Sequence, residues 1–234
     1  MLRTLTNGAL AAIALLASAP AARAQSGPVD PWVFTGGFAT DNRSKDASKS
    51  DGDAYGWATA TWQPSRRYYA GSGFETIRSS TGSELETKIF VGAKPTLGGF
   101  IFDLNAAWKY QVDANPGTDH DNWEFTADVK HALGPVTAKA RYQYSPDGAG
   151  SVRAWSWVEA RADWTPRPLP ALTLTAGVGR REQDNSVDYT GWDVGGSWKF
   201  NPAVSASLRY YATDATVPGE QYADALVAGV AFTF

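Results

Sequence analysis

FIFDLNAAWKYQ, residues 100–111, decides how the rest of the chain is read. Phe100, Phe102, Leu104, Ala106, Trp108 and Tyr110 fall on one side of an extended backbone. Ile101, Asp103, Asn105, Ala107, Lys109 and Gln111 fall on the other. A period of two places successive side chains on opposite faces of a strand, whereas a helix would need apolar residues every three to four positions. The segment therefore predicts a strand with one apolar and one polar face. WEFTADVK repeats the pattern, with Trp123, Phe125, Ala127 and Val129 against Glu124, Thr126, Asp128 and Lys130. So does VTAKARYQY, with Val136, Ala138, Ala140, Tyr142 and Tyr144 against Thr137, Lys139, Arg141 and Gln143.

Working outward from these three, the alternation marks about twelve strands. They lie near 31–41, 54–63, 67–78, 85–94, 100–111, 122–132, 136–145, 154–164, 171–181, 189–200, 203–213 and 223–234. Connections alternate between short turns, such as Gly134-Pro135 and Asn201-Pro202, and longer polar loops at 42–53, 79–84, 112–121, 146–153, 182–188 and 214–222. Short turns on one rim and long loops on the other organise an outer-membrane β-barrel, with the turns periplasmic and the loops extracellular.

A soluble sandwich with the same alternation would bury its apolar faces and carry aromatics in mid-strand. Aromatic placement separates the two. Trp32, Trp62, Tyr68, Phe100, Trp164 and Phe200 fall near the short-turn rim, and Trp108, Tyr110, Trp123, Tyr144 and Tyr210 near the long-loop rim. Small and aliphatic residues fill most of the interval. Two girdles around an aliphatic band fit strands that cross a bilayer. In lipid each backbone N–H and C=O needs a partner, so such a sheet has to close. The expected fold class is all-β: a closed antiparallel transmembrane barrel of about twelve strands over residues 31–234.

Composition narrows the function. Among 234 residues there are no Cys, 2 His, 21 Lys+Arg and 24 Asp+Glu, with 10 each of Trp, Tyr and Phe. Without Cys there is no disulfide framework, thiolate metal site or Cys nucleophile. The slightly acidic balance gives no basic footprint for nucleic acid. No metal or other cofactor is expected. Residues 1–24, MLRTLTNGALAAIALLASAPAARA, show a basic n-region, a short apolar h-region and an Ala22-Arg23-Ala24 cleavage site. This reads as a cleaved secretory signal peptide, followed by a short periplasmic segment over 25–30. After residue 24 no apolar run is long enough for a transmembrane helix.

The final strand, ALVAGVAFTF, alternates Leu226, Ala228, Val230, Phe232 and Phe234 to a C-terminal aromatic. It resembles the signature by which bacterial outer-membrane barrels reach their assembly machinery. Two segments carry aromatics on the polar side: Tyr55 and Trp57 in AYGWATATW, and Trp155 and Trp157 ahead of Val158. A bulge, or strand above the membrane plane where facing is free, accounts for either.

FATDNRSKDASKSDGDAYGWATATW followed by RRYYAGSGFETI resembles the TorF porin family of proteobacterial outer-membrane barrels. That family shows Ser-Asp-Tyr-Arg-x-Arg-Gly-x-Ser and then a hairpin ending Tyr-Ala-Gly. Asp41, Arg43 and Ser48 hold places in the first pattern, and Tyr69, Ala70 and Gly71 match the second. Lys45-Asp46 stands where the family has its second Arg and its Gly, and no Tyr-Pro follows Trp108-Lys109-Tyr110. The resemblance implies an outer-membrane barrel of the porin type in a Gram-negative envelope.

The mechanism of such a barrel lies in its lumen. The polar faces point the acids Glu75, Glu86, Asp103, Glu124, Asp128, Glu159, Asp163 and Asp193 inward. The same faces carry Lys88, Lys109, Lys130, Lys139, Arg141, Arg161, Arg181, Lys199 and Arg209. Charges out of bulk water need partners, so neighbouring strands should pair acids with bases. A barrel of this size falls between side-chain-filled and open-channel barrels. A narrow aqueous passage is expected, constricted where Arg141, Arg161 and Arg181 meet Glu124, Glu159 and Asp163. The alternative is that these residues only fill and stiffen the interior. The acidic loops, with Asp113, Asp119 and Asp121 and with Glu182, Asp184 and Asp188, would favour cations at the mouth or serve solubility and divalent ions.

Three functions follow in order. The first is passive diffusion of small polar or ionic solutes. The second is a non-conducting structural or surface-binding barrel. The third is a lipid hydrolase with a His base, for which His120 and His131 are the available residues. His131 stands at the short-turn end of its strand and His120 lies in a loop with no adjacent serine, so no enzyme is expected. Expected partners are outer-membrane lipid and lipopolysaccharide, the barrel-assembly machinery during biogenesis, and small solutes, with no nucleic acid.

Overall fold

The computed structural model describes residues 30–234; the leader read from residues 1–24 lies outside them. Twelve long strands build the barrel: β1 (Trp32–Ala39), β2 (Tyr55–Trp62), β3 (Tyr68–Thr76), β4 (Leu85–Ala93), β5 (Phe100–Val112), β6 (Asp121–Leu133), β7 (Val136–Ser145), β8 (Trp155–Trp164), β9 (Leu172–Gln183), β10 (Tyr189–Asn201), β11 (Val204–Thr213) and β12 (Ala225–Thr233). Each pairs antiparallel with its neighbours in sequence, and β1 pairs with β12 from Thr35↔Thr233 to Ala39↔Gly229. Main-chain bonds between Phe34 and Phe234, 3.0 and 2.8 Å, finish the seam. The sheet has no free edge, as a hydrocarbon surround requires. No helix occurs among the described residues.

Strands run 8 to 13 residues, enough to cross a bilayer when tilted. The alternation sets their facing. On the outer face Leu226 is 64% exposed and Ile89 56%, with Trp32, Trp62, Trp123 and Trp164 between 43% and 49%. On the inner face Glu86, Glu124, Asp128, Glu159 and Asp193 are buried. This inversion, with apolar chains outside and carboxylates inside, suits a lipid solvent. Leu226, Ala228, Val230 and Phe234 lie outward on the closing strand and its end. The outer aromatics also include Phe34, Phe74, Phe125, Tyr142, Trp192 and Trp198, so the belts are broader than single rings of girdle residues.

The tryptophans out of phase with the apolar side need no bulge. The β7–β8 register is unbroken from Val136↔Trp164 to Ser145↔Trp155, and Trp155 and Trp157 point inward with Glu159 and Arg161. Trp57 shares its inward row with Gly37 and Glu75. The register shift in the sheet lies elsewhere, at Lys199/Asn201 beside the Asn201-Pro202 turn. Two loop acids also move: Asp121 opens β6 and Glu182 lies within β9.

Candidate functional site: the lumen and the loop seated in it

Five turns of 2 to 7 residues join the strands at one rim, and six connections of 5 to 15 residues join them at the other. The first of these, residues 40–54 and hereafter loop 1, does not stay outside. Asp41, Asn42, Asp46, Ala47, Ser48 and Ser50 are all buried. A stretch this polar is buried only when its hydrogen bonds are satisfied. Asp41 supplies the framework: it pairs with the Arg43 guanidinium and accepts from Ser48 Oγ (2.5 Å) and Ser50 Oγ (2.9 Å). The three positions read from the TorF-like pattern, Asp41, Arg43 and Ser48, thus form one cluster.

That cluster folds a small hairpin, Arg43–Ser44 against Ala47–Ser48. Its tip residues Lys45 and Asp46 have φ of 55° and 64°. A two-residue hairpin turn with both centres left-handed is the arrangement for which glycine is favoured. The loop is tied down at its base as well. Arg43 Nη1 donates to Ala223 O (2.8 Å), Ser48 N to Gln221 O (2.7 Å), and Arg78 N to Lys49 O (2.7 Å).

The hairpin meets two unlike walls. Toward β3, β4 and β6 it presents lysines to carboxylates. Lys49 pairs with Glu75 and, at 2.9 Å, with Glu86; Lys45 reaches Glu124 at 3.1 Å. Lys109 on β5 bridges Glu86 (3.6 Å) and Glu124 (3.3 Å), and Gln143 Nε2 donates to Glu124 (3.1 Å). Toward β8 and β10 it packs on aromatics: Ala47, Trp155, Trp157 and Tyr189 form one buried cluster. The Tyr189 hydroxyl donates to Lys45 O (2.8 Å), and Lys45 Nζ lies 4.3 Å from the Trp155 ring centre.

Two glycines make this fit possible by close approach. A Cβ on Gly191 would stand 2.6 Å from the Asp46 side chain, and one on Gly179 would stand 2.1 Å from the Trp157 ring. Burial dominates the titration of the hairpin tip. It pulls the Lys45 ammonium down to about 7, with Glu124 opposing. It pushes the Asp46 carboxyl up to about 7, reinforced by Asp193 and opposed by Arg161 and Arg209.

Below and beside the hairpin most of the wall charges are paired. Arg141 forks onto Asp128 at 2.7 and 2.8 Å, with Lys139 at 3.5 Å. Arg161 joins Glu159 (2.8 Å) and Asp193 (2.7 Å), and Arg209 also pairs with Asp193. Trp157 Nε1 donates to Glu159 (3.1 Å). Asp103 accepts from Tyr69 (2.6 Å) with Lys94 at 3.8 Å, while Asp163 accepts from Thr175 (2.7 Å). Lys88 and Lys130 stand on the same inner rows, facing Lys109 and Lys139, and Lys199 faces Ser205 near the short-turn rim.

The grouping expected for a constriction is therefore corrected. Of Arg141, Arg161, Arg181, Glu124, Glu159 and Asp163, only Arg161 and Glu159 form an ion pair. Register is the reason: Arg141 lies opposite both Asp128 and Glu159 and forks onto Asp128, while Glu124 is taken by lysines that include one from loop 1. Arg181 lies over the Trp155 ring, 4.4 Å from its centre, with Nε donating to Gln183 (2.9 Å). Between loop 1 and the other long loops remains a vestibule of about 560 Å³, bordered by Lys45, Lys49, Lys109, Trp155 and Arg181.

The histidines stand apart from this interior. His131 stacks on Phe100 at 4.4 Å, and its Nδ1 lies 3.2 Å from Gly99 O. His120 meets Tyr110 edge-on and its Nδ1 lies 3.0 Å from Thr118 O. No group of three or more potential metal ligands occurs among the described residues.

Three solved barrels share the fold. The KdgM porin matches with a TM-score of 0.59 and 10% identity, covering 86% of this chain and 99% of its own. It has also been described in complex with disordered oligogalacturonate. The COG4313 outer membrane channel from Pseudomonas putida F1 gives 0.56 and 13%, over 89% of this chain and 97% of its own. The NanC porin gives 0.56 and 10%, over 86% and 98%. At these identities the likeness is one of fold. Among curated proteins none matches in sequence. A family model does match over residues 53–233, and the chain belongs to that family, Gcw_chp, described as a bacterial protein of unknown function.

Proposed function

We propose that the chain is a porin-like channel of the outer membrane for passive diffusion of small polar or ionic solutes, with loop 1 as its constriction. The observation that carries this reading is a closed barrel whose inner rows are charged and whose mouth holds an ordered polar loop beside a vestibule of about 560 Å³. An apolar exterior and a polar interior are what a conducting barrel needs, and an inserted loop narrows the passage without closing the wall. The TorF resemblance of loop 1 and the porin fold of KdgM and NanC support the same reading. In it the long loops face outward toward lipopolysaccharide, the short turns face the periplasm, and residues 1–24 direct export. The terminal strand through Phe234 serves assembly. Oligogalacturonate, described with KdgM, makes saccharides sensible first solutes to try.

Purified protein in planar bilayers should give steady conductance steps, and proteoliposomes should swell in small sugars. Silent bilayers at high protein load would overturn the channel. They would favour the second reading, a non-conducting surface-binding barrel, which the burial of Asp41–Ser50 in the mouth specifically supports.

A further inference from the structure

Charge in the vestibule does not cancel, and the surplus has an address. Lys45, Lys49 and Lys109 are matched by Glu75, Glu86 and Glu124, three bases against three acids, all in contact. Arg181 is additional. It stands on β9, opposite Trp157 and Tyr189, and points into the same space. No carboxylate lies within 4 Å of it among the described residues. Its guanidinium carbon lies 4.4 Å from the Trp155 ring centre, and Nε is spent on Gln183. Lys45 lies over the same indole, its Nζ 4.3 Å from the ring centre, but its charge is already met by Glu124. The other bordering acid, Asp51, is exposed, where water and salt screen it.

A guanidinium stacked near an aromatic ring at the border of a cavity, with no carboxylate partner, is a ready donor for a planar oxyanion. About 560 Å³ falls within the size of small-molecule sites, roughly 300–1,000 Å³. We infer that the vestibule binds a small oxyanion-bearing solute, a carboxylated sugar or an inorganic oxyanion, with Arg181 as the principal contact. This deepens the channel reading by naming the chemistry of the solute held at its mouth.

Calorimetry on the folded barrel in detergent tests it, with glucuronate, sulfate and uncharged glucose as probes. Glucuronate should bind and glucose should not at the same concentration. Arg181→Gln should weaken glucuronate roughly tenfold or more, the loss of one charge-assisted contact. Arg181→Lys should fall between, because the charge stays and the fork is lost. Arg67→Gln, exposed at the far rim, should change nothing. Binding of both anions supports the carboxylated-sugar source, and sulfate alone supports an inorganic one. Equal binding of glucuronate and glucose, binding of neither anion, or undiminished affinity in heat-modifiable R181Q and R181K would overturn the site. Calorimetry needs no conductance. A silent bilayer with intact anion binding rejects only the channel, whereas steady conductance without anion binding rejects only this site.

Discussion

The two walls that hold loop 1 work by different physics. On the side of β3, β4 and β6 the hairpin is held by Lys45 and Lys49 against Glu75, Glu86 and Glu124. On the side of β8 and β10 it is held by Ala47 against Trp155, Trp157 and Tyr189, where Trp157 has no exposed surface. Paired charges respond to salt and pH, while packed rings respond to volume. The ionic wall should therefore answer to changes of charge, and the aromatic wall to changes of side-chain volume.

Removing the aromatic grip should cost most. Trp157→Ala deletes a fully buried ring that lies over Gly179 and donates to Glu159. Such truncations cost about 3–5 kcal/mol. The unfolding midpoint in urea should drop accordingly, and a change under about 1 kcal/mol would mean the ring does not organise the interior. Gly191→Ala comes next. Its methyl would press on the Asp46 side chain, and overpacking of this kind costs about 1–3 kcal/mol. Loop 1 should become cleavable by trypsin after Arg43, Lys45 or Lys49 while the barrel stays heat-modifiable; continued protection would contradict the contact.

Glu124→Gln tests the ionic wall. It leaves Lys45 without its carboxylate and Lys109 with Glu86 alone, a loss of about 1–3 kcal/mol in loop seating. Tryptic release of loop 1 should then be less dependent on salt than in the parent. Unchanged salt dependence would place the grip elsewhere.

A separate effect is that of pH on the hairpin tip. Seated Asp46 titrates near 7 against 3.8 in its ordinary state. A raised carboxyl pKa costs stability above about 7, and that cost falls away as pH drops toward 3.8. Lys45 runs the other way: its cost is full below about 7 and is relieved as pH rises toward 10.5. Asp46→Asn removes the carboxyl and leaves Lys45 in place. The variant should melt higher than the parent at pH 8.5, with the gap narrowing at pH 5.5. A gap that does not change with pH would show that the seated carboxyl carries no such cost.

The wall was legible in the sequence and the plug was not. Alternation in FIFDLNAAWKYQ assigns Asp103 and Lys109 inward and Leu104 and Trp108 outward, because a side-chain period of two leaves only two facings. The same rule applies to Trp57, Trp155 and Trp157. Gly37 and Gly179 across the sheet give Trp57 and Trp157 room inside. Loop 1 followed no periodicity. DNRSKDASKS has no large apolar residue, and its burial depends on side-chain bonds from Asp41, Ser48 and Ser50 that no pattern of hydropathy records. Two signals were nonetheless present: a connection much longer than a hairpin needs, and a TorF-like Gly position at the place where Asp46 adopts a positive φ. Arg141 shows the remaining limit. Its facing is fixed by phase, but its partner is fixed by register across two strands, which pairs it with Asp128.

The central claim is that the hairpin seated between these walls sets the width of the passage. The most direct measurement is single-channel conductance of the full chain against a chain in which Ser44–Ala47 is replaced by Gly-Gly, in the same bilayer and salt. The account predicts a larger unitary conductance for the shortened loop, with the barrel still heat-modifiable. An equal or smaller conductance from a folded barrel would contradict it.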